Sequence, residues 1–276
     1  MANPQSSSHA VRLKKSLGQH LLADTRFLDD IVSRSSLEAG DRVLEIGAGS
    51  GLLTERLLRR VNQVVAVEVD RQFEYHLGRL KAAYPDSLTL MFDDIRAVSL
   101  HGLLGGAAGK WKVVANIPYY ITAPLLEILL VESSGLFSDL FLLVQKEIAV
   151  RLEGSDPREV SSLSFVSRYH AVPTVLFDIP PSAFMPPPKV DSAFIHLAVR
   201  TAPPVSAPRE QLFRLIRTAF GQRRKGIRNS LKALSPACDA ALSSALEKCG
   251  IAPLERPQNL SLEDFDRLAN ALSDSL

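Results

Sequence analysis

The sequence predicts an α/β protein: a largely parallel sheet with helices on both faces, followed by a small all-helical unit. Three observations lead there. Up to about residue 200, short apolar runs alternate with amphipathic segments, the pattern of strands buried on both faces and joined by crossover helices. The stretch 201–208 carries Pro203, Pro204 and Pro208 and reads as a linker. Beyond it, apolar residues recur at helical spacing.

The strand-like runs are residues 42–46, 64–69, 88–92, 113–115, 140–144, 174–177 and 193–199. Between the early ones lie the amphipathic segments 52–60, 73–84 and 123–131. The last two runs are joined by the proline-rich loop 180–188, which has no helical pattern, so a late antiparallel strand is expected there. After the linker, the helical pattern is carried by Leu212, Leu215, Ile216 and Ala219, then Ile227, Leu231 and Leu234. Leu242, Ala245 and Leu246 continue it, then Leu262, Phe265, Leu268 and Leu272. Two units are expected, 1–202 and 203–276.

A chain of 276 residues that is 46% hydrophobic and 22% charged can bury one good core and a smaller second one. No apolar run approaches 20 residues, so no membrane span is expected. The first fifteen residues lack the apolar core of a secretory signal and read as a short disordered arm. Cys238 and Cys249 have no cysteine or histidine partners at zinc spacing, which favours free thiols, a cytoplasmic protein and no metal. The net charge of +2 is weak, but its distribution is uneven. Arg209, Arg214, Arg217, Arg223, Arg224, Lys225, Arg228 and Lys232 face a single acid, Glu210, whereas acids lead from residue 239 onward. A local basic patch on a near-neutral protein suggests a docking surface for RNA centred on Arg223, Arg224, Lys225 and Arg228, in a helical-looking stretch.

Val43-Leu44-Glu45-Ile46-Gly47-Ala48-Gly49-Ser50-Gly51 reads as a buried strand running into a glycine turn and then a helix. Glycines let the backbone approach a ligand. Glu68, at the end of the next run, is placed to hydrogen-bond a ribose diol. A nicotinamide-binding fold looks similar, but its fingerprint wants glycine or alanine where this chain has Leu52. The spacing is G-x-G-x-G with Glu45 two residues ahead, which suits a ligand bearing a positive sulfonium and no pyrophosphate. Glu45 would raise negative potential near that cation or order the loop. Asp94 could accept from an adenine amino group with Ile95 against the ring, or could cap the following segment.

Asn116-Ile117-Pro118-Tyr119 closes the fourth run, where ligands of such sheets sit. The exocyclic amine of adenine is a poor nucleophile because its lone pair is delocalised into the ring. A site that methylates it must accept hydrogen bonds from both N–H groups and so turn the lone pair toward the methyl. The Asn116 amide oxygen and the Ile117 carbonyl, stiffened by Pro118, do that, and Tyr119 offers a face for a base drawn out of its stack.

With these residues the sequence resembles the ribosomal RNA adenine N6-dimethyltransferase family and, within it, the bacterial kasugamycin-sensitivity branch. The segments that carry the resemblance are Lys15-Ser16-Leu17-Gly18-Gln19-His20, the glycine loop, Asn116-Ile117-Pro118-Tyr119, Gln145-Lys146-Glu147, Ala183 through Ser192, and Gln222-Arg223-Arg224-Lys225. The resemblance implies a class I methyltransferase fold with seven strands and S-adenosylmethionine as cofactor. It implies dimethylation of two adjacent adenosines in the 3′-terminal hairpin of small-subunit ribosomal RNA, in the small subunit, by a monomer. It also implies that Gln19 and His20 close over the cofactor and that Phe184 packs on the target base opposite Tyr119. His20 stands where many members have asparagine; a histidine capping the next helix would look the same. Tyr120 is assigned no role. Two rivals remain: a large-subunit antibiotic-resistance methyltransferase, against which the proline-rich and Gln-Arg-Arg-Lys strings speak, and a non-catalytic binding protein on the same scaffold.

Overall fold

The computed structural model describes residues 19–105, 109–232, 234 and 239–273. The expected disordered arm, the Lys15–Gly18 part of the first family segment and Cys238 lie outside them.

Seven strands form one sheet: β2 (Arg42–Ile46), β3 (Gln63–Val67), β4 (Leu88–Met91), β5 (Trp111–Asn116), β6 (Phe137–Gln145), β7 (Ala171–Ile179) and β9 (Ser192–Val199). Their order is β4-β3-β2-β5-β6-β9-β7. The pairs from β4 to β6 are parallel, and β9 lies antiparallel between β6 and β7, which is the expected late reversal. A separate two-stranded ladder joins β1 (Leu21–Leu22) to β8 (Phe184–Met185).

The chain leaves β2 in one direction across the sheet and returns to β5 on its other side. The carboxyl ends of these neighbours therefore diverge into a crevice, the usual ligand position in a doubly wound sheet. Central strands are apolar on both faces because both are covered. One face packs on α4 (Leu100–Leu104), α5 (Thr122–Glu127) and α6 (Lys146–Glu153); the other packs on α1 (Thr25–Arg34), α2 (Leu52–Leu58) and α3 (Glu74–Ala83). Asp24 caps α1 by accepting from Arg26 N at 3.0 Å, so His20 is not its cap.

A third core lies in α8 (Arg209–Gly221), α9 (Ile227–Leu231), α10 (Asp239–Cys249) and α11 (Leu262–Ala271). It also takes in Phe165 and Tyr169 from α7 (Ser162–His170), which bolt the helical region onto the sheet unit. Among the described residues no helix is long and apolar enough to cross a membrane.

Candidate functional site

A cleft opens at the carboxyl ends of β2, β3, β4 and β5. The glycine turn, Glu68, Asp94 with Ile95, and Asn116 through Tyr119 all line it, and Gln19 and His20 reach it from the N-terminal side. The structure thus brings together most of the residues singled out from sequence; Glu45, Gly51 and Phe184 lie elsewhere.

Gly47 and Gly51 show why the turn is glycine-rich. Both have positive φ, 78° and 82°, where a side chain is strained. A Cβ on Gly47 would sit 3.2 Å from the Asn116 carbonyl oxygen, so glycine lets the turn and the end of β5 close on each other. A Cβ on Gly51 would meet Leu80 Cδ1 at 2.6 Å, so this glycine serves packing of α2 on α3. Gly49 also has positive φ, and Leu21 of the arm rests against it.

Glu68 is buried just past β3. Its Oε2 accepts from Gly49 N and its Oε1 from Asp70 N, each at 2.8 Å. Burial raises its pKa above the ordinary carboxylate range, and the two backbone bonds oppose that. The carboxylate therefore orders the glycine turn while keeping lone pairs for a ligand hydroxyl. Asp70 is buried beside it and accepts from Gln72 and from the Gln19 amide, the latter at 2.8 Å. Asp70 is a site residue that sequence alone does not single out. Its only signal is its position two residues after Glu68, at the mouth of the same strand.

Glu45 departs furthest from expectation. It is 1% exposed and lines a separate pocket beneath the turn, bounded by Leu22, Leu28, Ile31 and Ala48. Burial pushes its pKa up to about 8; Thr54 beside it offsets part of that and the Glu68 charge adds to it. Thr54 is close enough to matter electrostatically but lacks the geometry of a hydrogen bond, and neither Glu45 oxygen nor Thr54 Oγ1 has a hydrogen-bond partner. A largely neutral Glu45 under the loop does not project negative charge into the cleft.

Asp94 caps the short helical turn Ile95–Ala97 and holds the Arg96 guanidinium through both oxygens, at 3.0 and 2.6 Å. Hydrogen bonds from Arg96 lower its pKa. The same Asp-x-Arg clasp recurs at Asp24 and Asp156, neither of which lines this cleft, so it is a local turn device. Asp94 still borders the cleft, and Ile95 forms its buried apolar wall.

Asn116 ends β5. Its Nδ2 donates to the His20 carbonyl at 3.2 Å, which leaves Oδ1 as an acceptor. Ile117 is buried and its N–H is used by the Leu143 carbonyl, so the backbone cannot rotate freely there. Pro118 follows with φ −57°, and the Tyr119 hydroxyl shares a 2.6 Å hydrogen bond with the buried Ser192. Burial raises the Tyr119 pKa. Ser192, a second residue that sequence reasoning misses, fixes the Tyr119 ring; it ends the proline-rich string already singled out.

Phe184 does not line this cleft. It is 4% exposed within the apolar cluster under β1, and strand alternation turns its neighbour Met185, 64% exposed, outward instead. The expectation that Phe184 faces Tyr119 is corrected here: exposing a buried phenylalanine costs about 1.5–3 kcal/mol. The basic stretch also differs. Arg223, Arg224 and Lys225 are exposed in a turn after α8, not in a helix, and Arg228 is half-buried in α9. Arg223 Nη2 donates to the Arg158 carbonyl at 2.7 Å, and Ile227 and Leu231 are buried as expected.

The family described as ribosomal RNA adenine dimethylase matches residues 10–274. Ribosomal RNA small subunit methyltransferase A of Pelotomaculum thermopropionicum is 39% identical over 97% of this chain and 94% of its own length. The protein of that name from Caldanaerobacter subterraneus is 38% identical over 95% of this chain and 98% of its own. Among solved structures, a dimethyladenosine transferase from Plasmodium falciparum superposes with a TM-score of 0.75 at 24% identity, covering 92% of this chain and 98% of that one. The 23S rRNA methyltransferase ErmE does so with a TM-score of 0.73 at 24% identity, covering 92% and 99%.

Proposed function

This chain belongs to the ribosomal RNA adenine dimethylase family, and from that premise we propose how its cleft dimethylates the exocyclic N6 of adenosine in small-subunit ribosomal RNA. It is an S-adenosylmethionine-dependent enzyme on a class I methyltransferase fold. The targets are two adjacent adenosines of the 3′-terminal hairpin, modified within a maturing small subunit by a cytoplasmic monomer.

The cleft fits the cofactor. Gly47 leaves room where a Cβ would press on Asn116, Glu68 offers acceptors for ribose hydroxyls, and Ile95 supplies an apolar wall for adenine. Gln19 and His20 cover it, and Gly49, Asp94 and Asn116 edge it. Glu45 and Gly51 act from beneath by shaping the turn. When bound, S-adenosylmethionine supplies an electrophilic methyl on a positively charged sulfur.

The single observation that carries the reading is Asn116. With Nδ2 committed to the arm, its Oδ1 is an acceptor at the mouth of the cofactor cleft. Asn116 Oδ1 and the Ile117 carbonyl take the two N–H groups of the target amine and turn its lone pair toward the methyl. Pro118 keeps both acceptors in place, and Tyr119 stacks on the base. Positioning and charge complementarity do the work, so no strong base is required.

Residues 1–202 carry this chemistry, and 203–276 dock the RNA through Arg223, Arg224, Lys225 and Arg228. The test is methyl incorporation from labelled donor into unmethylated small subunits, naked small-subunit RNA and large subunits at equal concentration and salt, with the labelled nucleotide mapped. Small subunits should be preferred. Equal labelling of large subunits would instead favour the antibiotic-resistance activity.

A further inference from the structure

Two segments that carry the family resemblance, Gln145-Lys146-Glu147 and Lys189-Val190-Asp191, take no part in the chemistry of the cofactor cleft. The fold brings them together, with Pro181, around a second pocket at the carboxyl end of β6. It adjoins the first. Ser192 stands between the two: its hydroxyl shares the bond with Tyr119, and its backbone pairs with Gln145. Asn116 pairs with Leu143, two residues before Gln145. With strands about 4.8 Å apart and a rise of about 3.3 Å per residue, about 8 Å separates Asn116 from Gln145. That is the reach of one extended nucleotide, since even a stacked step rises about 3.4 Å.

The charges of this pocket nearly cancel. Lys146 is spent on Asp178 at 2.5 Å, and Glu147 on Arg151. Lys189 and Asp191 remain, one of each sign. A phosphate gains little from such a set. The exposed Val190, Pro181 and the Gln145 amide suit instead a flat, neutral ligand with a polar edge. Among the described residues nothing hydrogen-bonds the Gln145 side chain, so its carbonyl and its amide hydrogens are both open. That pair matches adenine, accepting from N6 and donating to N7.

We infer that this pocket receives the second adenosine of the pair while the first is in the cleft, and that Gln145 reads its base. The inference rests on the reading above that the targets are two adjacent adenosines. An N6-dimethylated adenine has no N–H to give and places a methyl where the Gln145 carbonyl would accept; a guanine presents an acceptor there. The pocket therefore admits the neighbour only before it is modified. Strand polarity sets the same side of the target over β6 each time, so only one of the two adenosines is methylated with its partner in the pocket. The pocket thereby sets an order, that adenosine first.

The test is single-turnover methyl transfer at saturating donor, read separately at each adenosine. Parent and Gln145→Met are compared on unmethylated small subunits and on subunits carrying guanosine at one or the other position. Gln145→Met keeps the bulk of the side chain and drops its amide, and S-adenosylhomocysteine affinity within about twofold of the parent shows that it folds. In the parent, guanosine at one position should slow methylation at the other roughly tenfold, the scale of one lost bidentate base contact, while the reverse replacement has little effect. Gln145→Met should slow that same adenosine by a similar factor, leave the other near normal, and show no further loss with guanosine. Equal slowing of both adenosines, normal rates at both, or a guanosine effect that persists in Gln145→Met overturns the proposal. A parent indifferent to guanosine overturns it without any variant. A parent that labels neither adenosine of the small subunit removes the underlying reading instead.

Discussion

Replacing Glu45 by glutamine isolates the energetic cost of its burial. The carboxyl is fully buried, without a hydrogen-bond partner, and its pKa rises from 4.5 to about 8 on folding. A raised folded-state value means that the folded protein keeps a proton the unfolded chain releases. The contribution to stability is therefore complete below about pH 4.5 and is lost progressively as pH rises toward 8. The loss is about 1.4 kcal/mol per pH unit across that window, or about 5 kcal/mol in all. Glutamine has the same shape and no proton to lose. Glu45→Gln should match the parent near pH 5 and exceed it by several kcal/mol above pH 8, on the order of 10 °C in Tm for a protein of this size. Paired thermal or urea melts of parent and variant from pH 5 to 8.5 measure the difference directly. Glu68 titrates in both proteins, so its effect largely cancels. A difference between the two that stays flat with pH would refute the reasoning, because Glu45 would then be ionised and partnered in the folded state.

Three further outcomes are expected. Glu68→Ala removes a carboxylate that accepts from Gly49 N and Asp70 N, so S-adenosylmethionine affinity, read by calorimetry on the folded variant, should fall roughly tenfold to a hundredfold; an unchanged value would take Glu68 out of the site. Asn116→Ala should cut single-turnover methylation by about a hundredfold or more, the scale of losing a preorganised polar group, while cofactor affinity stays nearly intact, and a near-normal rate would sink the lone-pair orientation. Reversing Arg223 and Arg224 to glutamate should flatten the slope of log affinity for small subunits against log salt by about 0.7–0.9 for each phosphate no longer neutralised, without touching cofactor affinity. An unaltered slope would move the docking surface elsewhere on the chain.

The central strands are legible in the sequence because they are buried on both faces and so read as unbroken apolar runs. The run at 42–46 coincides with β2, and that at 64–69 starts one residue inside β3 and ends two beyond it. The same logic holds the clue to Glu45: any side chain in the middle of such a strand is inside, charged or not. The ladder of β1 with β8 is not legible, since two-residue strands have no periodicity and their pairing joins residues far apart in sequence. Sequence alone therefore misplaces Phe184, because its direction depends on register with Leu22 and not on anything local. The basic turn resembles helix because Ile227 and Leu231 carry helical spacing into it, whereas Gly226 breaks the chain between α8 and α9; a Cβ there would lie 2.8 Å from Leu254 Cα.

These nonlocal links make one mechanical unit of the cleft. Gln19 of the arm bonds Asp70, Asp70 N bonds Glu68, and Glu68 bonds Gly49 in the glycine turn. On the other side His20 bonds Asn116 and Pro186. The arm is thus fastened both to the part of the cleft that orders the cofactor turn and to the part that faces the target amine. The short stretch from Gln19 to Leu22 is where the hydrogen bonds from the two sides of the cleft meet.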